Sequence, residues 1–541
     1  MKKSGRSRKL RAVAAATSLA LVSGTLPASL AFAQGNGAKK GGAPTAKDAA
    51  DAGTRVPEQP AGARRLGLRD ALKVAVRQNP TLASETVDVA IAEAQIKQTY
   101  GLDDWLVDAG AQWQSVRNNN LESQIFQVLS VNELDVNGSI AKPLSDGGTL
   151  GISVKGTGQR VHQKGIFTDA MGNQALGEYD VDQYTAVAQV TFFQPLLRGF
   201  GEKNRNVSRT RAKAQLEIQD LERENTAGNV VRDVIQAYWE LAYAAQEVEI
   251  RKSSLALARE QLRITQAGID VGKLAKTESL AIEQAIAARE QELLLAEQNR
   301  SERAIEVRRL VGMEIGPGEI ELDATDRLDT VGNDPDLDKT LAAAMENNVQ
   351  LRTVRSQGAA AKIEVDVSEN GLLPELNFNA AAGPAGQSEQ FGDAWSNLGT
   401  FDTFAVVAGV TFKSALGNHA AKGAQEVARG NLRKAKLTEA DISSQIAAAV
   451  VRAVNLVKFA KKRMDVSAKA TTLAAQNVDL EKARWEVGRT TNFEVLKRQD
   501  ELAQSQLAEA RARADYLKAV SVLDSLTGDI LPRYGIELAK K

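Results

Sequence analysis

His162 and His419 are the only imidazoles in this 541-residue chain, and they stand isolated in different halves. An imidazole does acid–base or metal chemistry only with a carboxylate, a thiolate or a second imidazole in reach. Neither has such a partner beside it in sequence, so both read as plain loop or helix-end residues. No cysteine occurs, which removes thiolate nucleophiles, thiolate metal sites, disulfides and lipid attachment at an N-terminal Cys. There is no phosphate-cradling Gly loop, no G-x-S-x-G and no metal-ligand cluster. Catalytic residues, cofactor and metal are therefore all expected to be none. Sixty-eight basic and 68 acidic residues cancel, against a nucleic-acid partner held by phosphate neutralisation.

The informative spacing belongs to glycine. Val271-Gly272, then Glu278-Ser279-Leu280, closes at Leu310-Val311-Gly312; Val487-Gly488, then Glu494-Val495-Leu496, closes at Leu526-Thr527-Gly528. The two sets are offset by 216 positions without a gap, and Val231 and Leu241 fall opposite Ala447 and Val457 at the same offset. A duplication of this length implies two copies of one helical hairpin. Long helices are expected over about 202–266, 274–312, 420–484 and 490–527, with shorter ones near 67–100 and 336–369; they are rich in Ala, Leu, Glu, Gln, Arg and Lys. Residues 202–266 alone would make a rod roughly 95 Å long at about 1.5 Å per residue. Leu507, Ala510, Ala514, Leu517 and Val520 form a seam for a neighbouring helix. Thr491 and Glu494 read as a capping box directly after Gly488.

Between the rods lie segments of period two. Trp105, Val107, Ala109, Ala111 and Trp113 share one face, against Asp108, Gln112 and Gln114. Strands are expected at about 105–116, 133–142, 149–158, 184–194, 375–383 and 403–413. One apolar and one small or polar face over about ten residues suits a wall between lipid and an aqueous lumen. No stretch after residue 34 has the roughly 18 consecutive apolar residues of a membrane helix, so any membrane passage must be by a closed barrel. The N-terminus has a basic start, an apolar run over 12–26 and Ala31-Phe32-Ala33, so residues 1–33 read as a signal peptide and 34–65 as a disordered leader.

With these elements in place, the chain resembles the TolC family of outer-membrane efflux proteins. The likeness rests on four features. Each half opens with an Asn-containing amphipathic helix, through Asn79-Pro80-Thr81-Leu82 and Asn347-Asn348-Val349-Gln350-Leu351; Gln194-Pro195-Leu196-Leu197-Arg198-Gly199-Phe200-Gly201 leads from strand to helix; Val-Gly turns sit at Gly272 and Gly488; and the whole is duplicated. Two places depart from the family pattern: Leu102-Asp103-Asp104 lacks the Pro of Leu372-Leu373-Pro374, and Lys413-Ser414-Ala415-Leu416 stands where Gln-Pro-Leu is expected.

The resemblance implies an internally duplicated α+β membrane protein. Its first repeat would be 66–333, its second 334–528 and its C-terminal tail 529–541. Long α-helical hairpins would form a periplasmic coiled-coil tunnel, and strands of three chains would close one transmembrane β-barrel. The implied role is the outer-membrane channel of a tripartite efflux pump or type I secretion system, reaching into the periplasm of a Gram-negative-type cell. Its implied partners are two further copies, a periplasmic adaptor, an inner-membrane transporter and outer-membrane lipid. The adaptor would dock at Val271, Gly272, Leu280, Val487, Gly488 and Leu496, in six near-equivalent tips. Asp479 matches the place where the family lines its periplasmic mouth with acids, while Lys482 stands where a second acid is expected. The alternatives are a periplasmic adaptor, typically with one hairpin between β domains, or a soluble coiled-coil scaffold. An additional alternating pair over 131–160, turning at Pro143-Leu144-Ser145-Asp146-Gly147-Gly148 and bracketed by polar segments 117–130 and 161–182, either decorates the outside of the membrane as a loop or raises the count to about six strands per chain and about eighteen per trimer, where the simplest family members have four and twelve.

Overall fold

The computed structural model describes residues 65–118, 126–168, 174–316, 322–328 and 334–538. The signal peptide, nearly all of the leader and parts of the inter-repeat segment lie outside the described residues. The first half runs β1 (Arg65–Leu66), α1 (Leu68–Gln78), α2 (Pro80–Thr99), β2 (Leu106–Arg117), β3 (Gln127–Pro143), β4 (Thr149–Thr168) and β5 (Gln174–Pro195), then the long pair α3 (Val207–Asp270) and α4 (Thr277–Val311). The second half runs β6 (Asp323–Ala324), α5 (Leu337–Asn347), α6 (Val349–Gly371), β7 (Glu375–Ser388), α7 (Phe391–Thr400), β8 (Phe404–Lys413), α8 (His419–Glu486) and α9 (Asn492–Thr527).

Each of the shorter helical segments is split by an asparagine. Asn79 Oδ1 accepts from the Thr81 and Leu82 amides at 3.0 and 3.2 Å, and Pro80 takes the first helical position, where its missing N–H costs nothing. The same side chain donates to Leu310 O at 2.8 Å, near the end of α4. In the second half Asn348 Oδ1 accepts from Leu351 N at 3.1 Å and its Nδ2 donates to Leu526 O at 2.9 Å. The closing glycines complete the pattern. Gly312 and Gly528 cap α4 and α9 with φ of 81° and 78°. A Cβ on them would lie 2.5 Å from Gln78 O and 2.7 Å from Asn347 O. Only glycine meets both demands.

These junctions sit in the main core, where Leu72, Val231, Ile235, Val311, Leu351 and Val454 are buried together. Leu322, Leu328, Ile530 and Leu531 join it, so the inter-repeat segment and the C-terminal tail pack at the same waist. Tyr238 is fully buried there; its hydroxyl donates to Asp326 Oδ2 at 2.6 Å and accepts from the Asp326 amide at 3.2 Å. Burial, reinforced by that carboxylate, pushes its pKa up to about 12. By composition α8 contains a stretch apolar enough to cross a bilayer. Ile446, Val450, Val454 and Val457 on that helix are buried in the waist.

The long helices lie side by side in the order α8–α9–α3–α4, leaving α8 and α4 as free edges. The strands form one antiparallel sheet in the order β2-β3-β4-β5-β7-β8, with β2 and β8 as its edges. The 131–160 pair is thus integral to the sheet. Val107, Ile140, Ile152, Val190, Ala382 and Val406 make one register row across all six strands. The opposite face carries the row Gln112, Asp135, Thr157, Thr185 and Gln387. Apolar and polar faces therefore alternate as a bilayer wall requires.

Four strands outrun the expected limits, β7 by five residues and β3, β4 and β5 by more. Of the polar segments expected as loops, residues 127–130 join β3, and most of 161–182 lies in β4 and β5. Beyond the row Trp113–Leu134–Gly158–Tyr184 the apolar face turns charged, with Arg160 bidentate on Asp182 at 2.7 and 2.8 Å. With both faces polar, hydrophobic periodicity no longer marks the strand.

Candidate functional site

The two hairpin tips share one turn. Gly272 and Gly488 are left-handed, with φ of 72° and 70°. Lys273 N donates to Gly268 O and Gly272 N to Ile269 O, both at 2.9 Å; Arg489 N and Gly488 N repeat this with Arg484 O and Trp485 O. That is a Schellman ending, in which the glycine lets the chain reverse while the last carbonyls stay paired. No atom would obstruct a Cβ at either glycine, so only backbone strain reserves them. The valine before each glycine is 68% exposed.

Past the turns the tips diverge. Leu280 is exposed, whereas Leu496 is only 7% exposed and packs with Ala258 and Ile282 between the hairpins. Leu496 is therefore an interior contact and offers nothing to a docking partner, which corrects its assignment to the tip surface. The helix returning from the second tip is capped by Thr491, whose Oγ1 accepts from Glu494 N at 3.4 Å; Lys276 at the first tip gives no side-chain cap. The six tips of a trimer would thus be three of each kind.

A polar junction locks the two hairpins together just behind the tips. Buried Asn492 accepts from Gln261 Nε2 at 2.8 Å and from Thr265 Oγ1 at 3.2 Å, and donates to Glu278 Oε2 at 3.0 Å. Farther along, buried Arg289 donates to Ser254 O, Gln499 Oε1 and Leu496 O. Burial lowers the pKa of that guanidinium, and the three oxygens offset its desolvation. The duplication conceals this junction, because the positions 216 residues away are Lys276 and Ser505.

Asp479 is exposed on α8, with no hydrogen-bond or ion-pair partner among the described residues; Lys482 is half-buried. About 100° round the helix from Asp479 lies Leu480, part of the stripe Phe459, Val466, Leu473, Leu480 and Val487. Every member is 60–68% exposed, at seven-residue spacing. Seven-residue spacing is that of one position in a coiled-coil seam. The seven-residue spacing alone could have marked the stripe in the sequence, whereas Phe493, exposed at the second tip, has no such signal. Among the described residues no group of three or more His, Asp or Glu is placed to hold a metal ion.

The model of the family described as outer membrane efflux protein matches residues 71–313 and 340–529, one span in each repeat. The chain belongs to the outer membrane efflux protein family. It is therefore an outer-membrane exit duct for efflux, standing in that membrane and extending into the periplasm. Outer membrane efflux protein BepC of Brucella suis biovar 1 (strain 1330) is 23% identical over 416 residues, covering 74% of this chain and 87% of BepC. The fold is that of the Campylobacter jejuni CmeC outer membrane channel, at a TM-score of 0.60 and 13% identity, over 88% of this chain and 87% of CmeC. It is similarly close to the Neisseria gonorrhoeae MtrE outer membrane channel in its open state, at 0.59 and 13%, over 86% and 89%. These relatives are channels, not enzymes.

Proposed function

We propose that three copies of this chain close into a single duct, and that a periplasmic adaptor and inner-membrane transporter engage it at the hairpin tips. The observation that carries the reading is that both layers end in open edges. Among the described residues β2 and β8 each leave one ladder unpaired, and α8 carries an exposed heptad stripe while Leu294 and Leu295 stand exposed on α4. An unpaired strand edge in lipid is untenable, and one chain with six strands is too narrow to close on itself. Six is also even, so β8 of one copy meets β2 of the next antiparallel, like every other pair in the sheet. Three copies would give eighteen strands above twelve long helices. Cargo would cross unchanged, driven by the transporter, in a tripartite efflux pump or a type I secretion system.

The first tip gives the cleaner test of docking, because Val487 also ends the heptad stripe. Val271→Asp should extract as a trimer by native mass spectrometry yet abolish export from cells. Normal export by the assembled variant would refute docking at this tip. Gly488→Asp should give the same phenotype through the second turn. At the mouth, three Asp479 carboxylates would attract cations in a narrow passage. Asp479→Ala should then lower cation selectivity in planar bilayers, and an unchanged reversal potential would remove Asp479 from the gate.

A further inference from the structure

The apolar face of the sheet is not bare. Helix α7, in the connection between β7 and β8, lies flat on it. Beneath the helix the sheet is pared down, since Gly156, Ala186 and Gly386 form one register row on adjacent strands. A Cβ on Gly386 would fall 2.0 Å from Ala394 O, and one on Gly156 would fall 2.8 Å from Trp395 Cζ2. Ala186 and Ala394 are buried in this contact, and Phe391 meets Tyr184 edge-on with ring centroids 5.8 Å apart. The row is one step short of the row ending in Tyr184, past which the face turns charged. α7 therefore sits at the outer rim of the apolar band. Its contacts lie on β4, β5 and β7, away from the edges through which copies would meet.

At about 100° per residue, Ala394, Asn397 and Leu398 face the sheet and Ser396 points away from it. Phe391 and Trp395 share one flank, and Asp393 and Thr400 share the other. Phe391 is 61% exposed, and Phe401 and Phe404 continue the aromatic surface into β8. Residues 389–403 contain Glu389, Asp393 and Asp402 and no basic residue, so nothing in this segment would bind lipid phosphate by charge.

We propose that α7 is an interfacial helix held outside the barrel, seated by its aromatic rings at the headgroup–acyl boundary of the outer leaflet. The inference rests on the reading of the sheet as a barrel wall with its apolar face to lipid. The chain lacks cysteine, so Ser396→Cys, Ile152→Cys and Lys164→Cys each carry one thiol for a nitroxide label. The trimer would be reconstituted in phosphatidylcholine vesicles and probed by power-saturation EPR with oxygen and a water-soluble nickel chelate. Labels at 396 and 152 should be more accessible to oxygen, and the label at 164 to nickel. Nickel access at 396 with oxygen access at 152 would overturn the seating of α7 while leaving the wall intact. Nickel access at 152 would overturn the wall and the helix with it. The pattern should persist when phosphatidylglycerol is added; immersion only in the anionic vesicles would overturn seating by rings.

Discussion

At the scale of single residues, Asn79 and Asn348 carry more than their type suggests. Each caps a helix near the start of its repeat and ties it to the end of the return helix that closes the same repeat. Asn348→Ala should cost about 2 kcal/mol, from a lost cap and a part-buried Leu526 carbonyl left without its side-chain donor. The cost should appear as faster hydrogen exchange at the start of α6 and the end of α9, and Asn79→Ala should mirror it in the first repeat. His162 teaches the opposite lesson about sequence. It has no partner along the chain, yet register sets it 2.7 Å from Asp180 and 3.5 Å from Glu178 on the neighbouring strand. It is therefore not a plain loop residue, whereas His419 does stand at a helix start. On the charged extension beyond the apolar band, Asp180 holds the His162 pKa above the usual 6.5. A raised folded pKa means the contribution is complete below 6.5 and is lost as pH rises through the folded value. Limited proteolysis should thus cut the β4–β5 extension faster at pH 8 than at pH 6 in the wild type, with no such difference in His162→Gln.

At the scale of elements, the long helices were legible because their ends are chemically marked. Gly272, Gly312, Gly488 and Gly528 stop them within a few residues of the expected limits. The strands were legible only where one face is apolar. Once β3, β4 and β5 pass into ion pairs and polar rows, nothing in the local sequence separates strand from loop. The tips were half legible. The turns repeat with the duplication, but the burial of Leu496 follows from a contact between hairpins that periodicity within one hairpin cannot report. The seam on α8 has its own test. Leu473→Glu, mid-stripe and remote from both tip and barrel, should weaken the trimer by placing three carboxylates in helix–helix contacts. Native mass spectrometry in detergent should show monomer at concentrations where the wild type stays trimeric; an unaltered trimer would mean that the stripe faces something other than a second copy.

At the scale of the whole molecule, the additional hairpin of β3 and β4 has a geometric consequence. Six strands about 4.8 Å apart and tilted by about 40° occupy about 38 Å of circumference. Four helices about 9.5 Å apart occupy about 38 Å as well. Four strands, the number in the simplest family members, would occupy only about 25 Å. With six strands each copy would subtend the same arc in lipid as in the periplasm, so the proposed ring of three would keep its bore constant from helical shaft to barrel instead of narrowing where the two join.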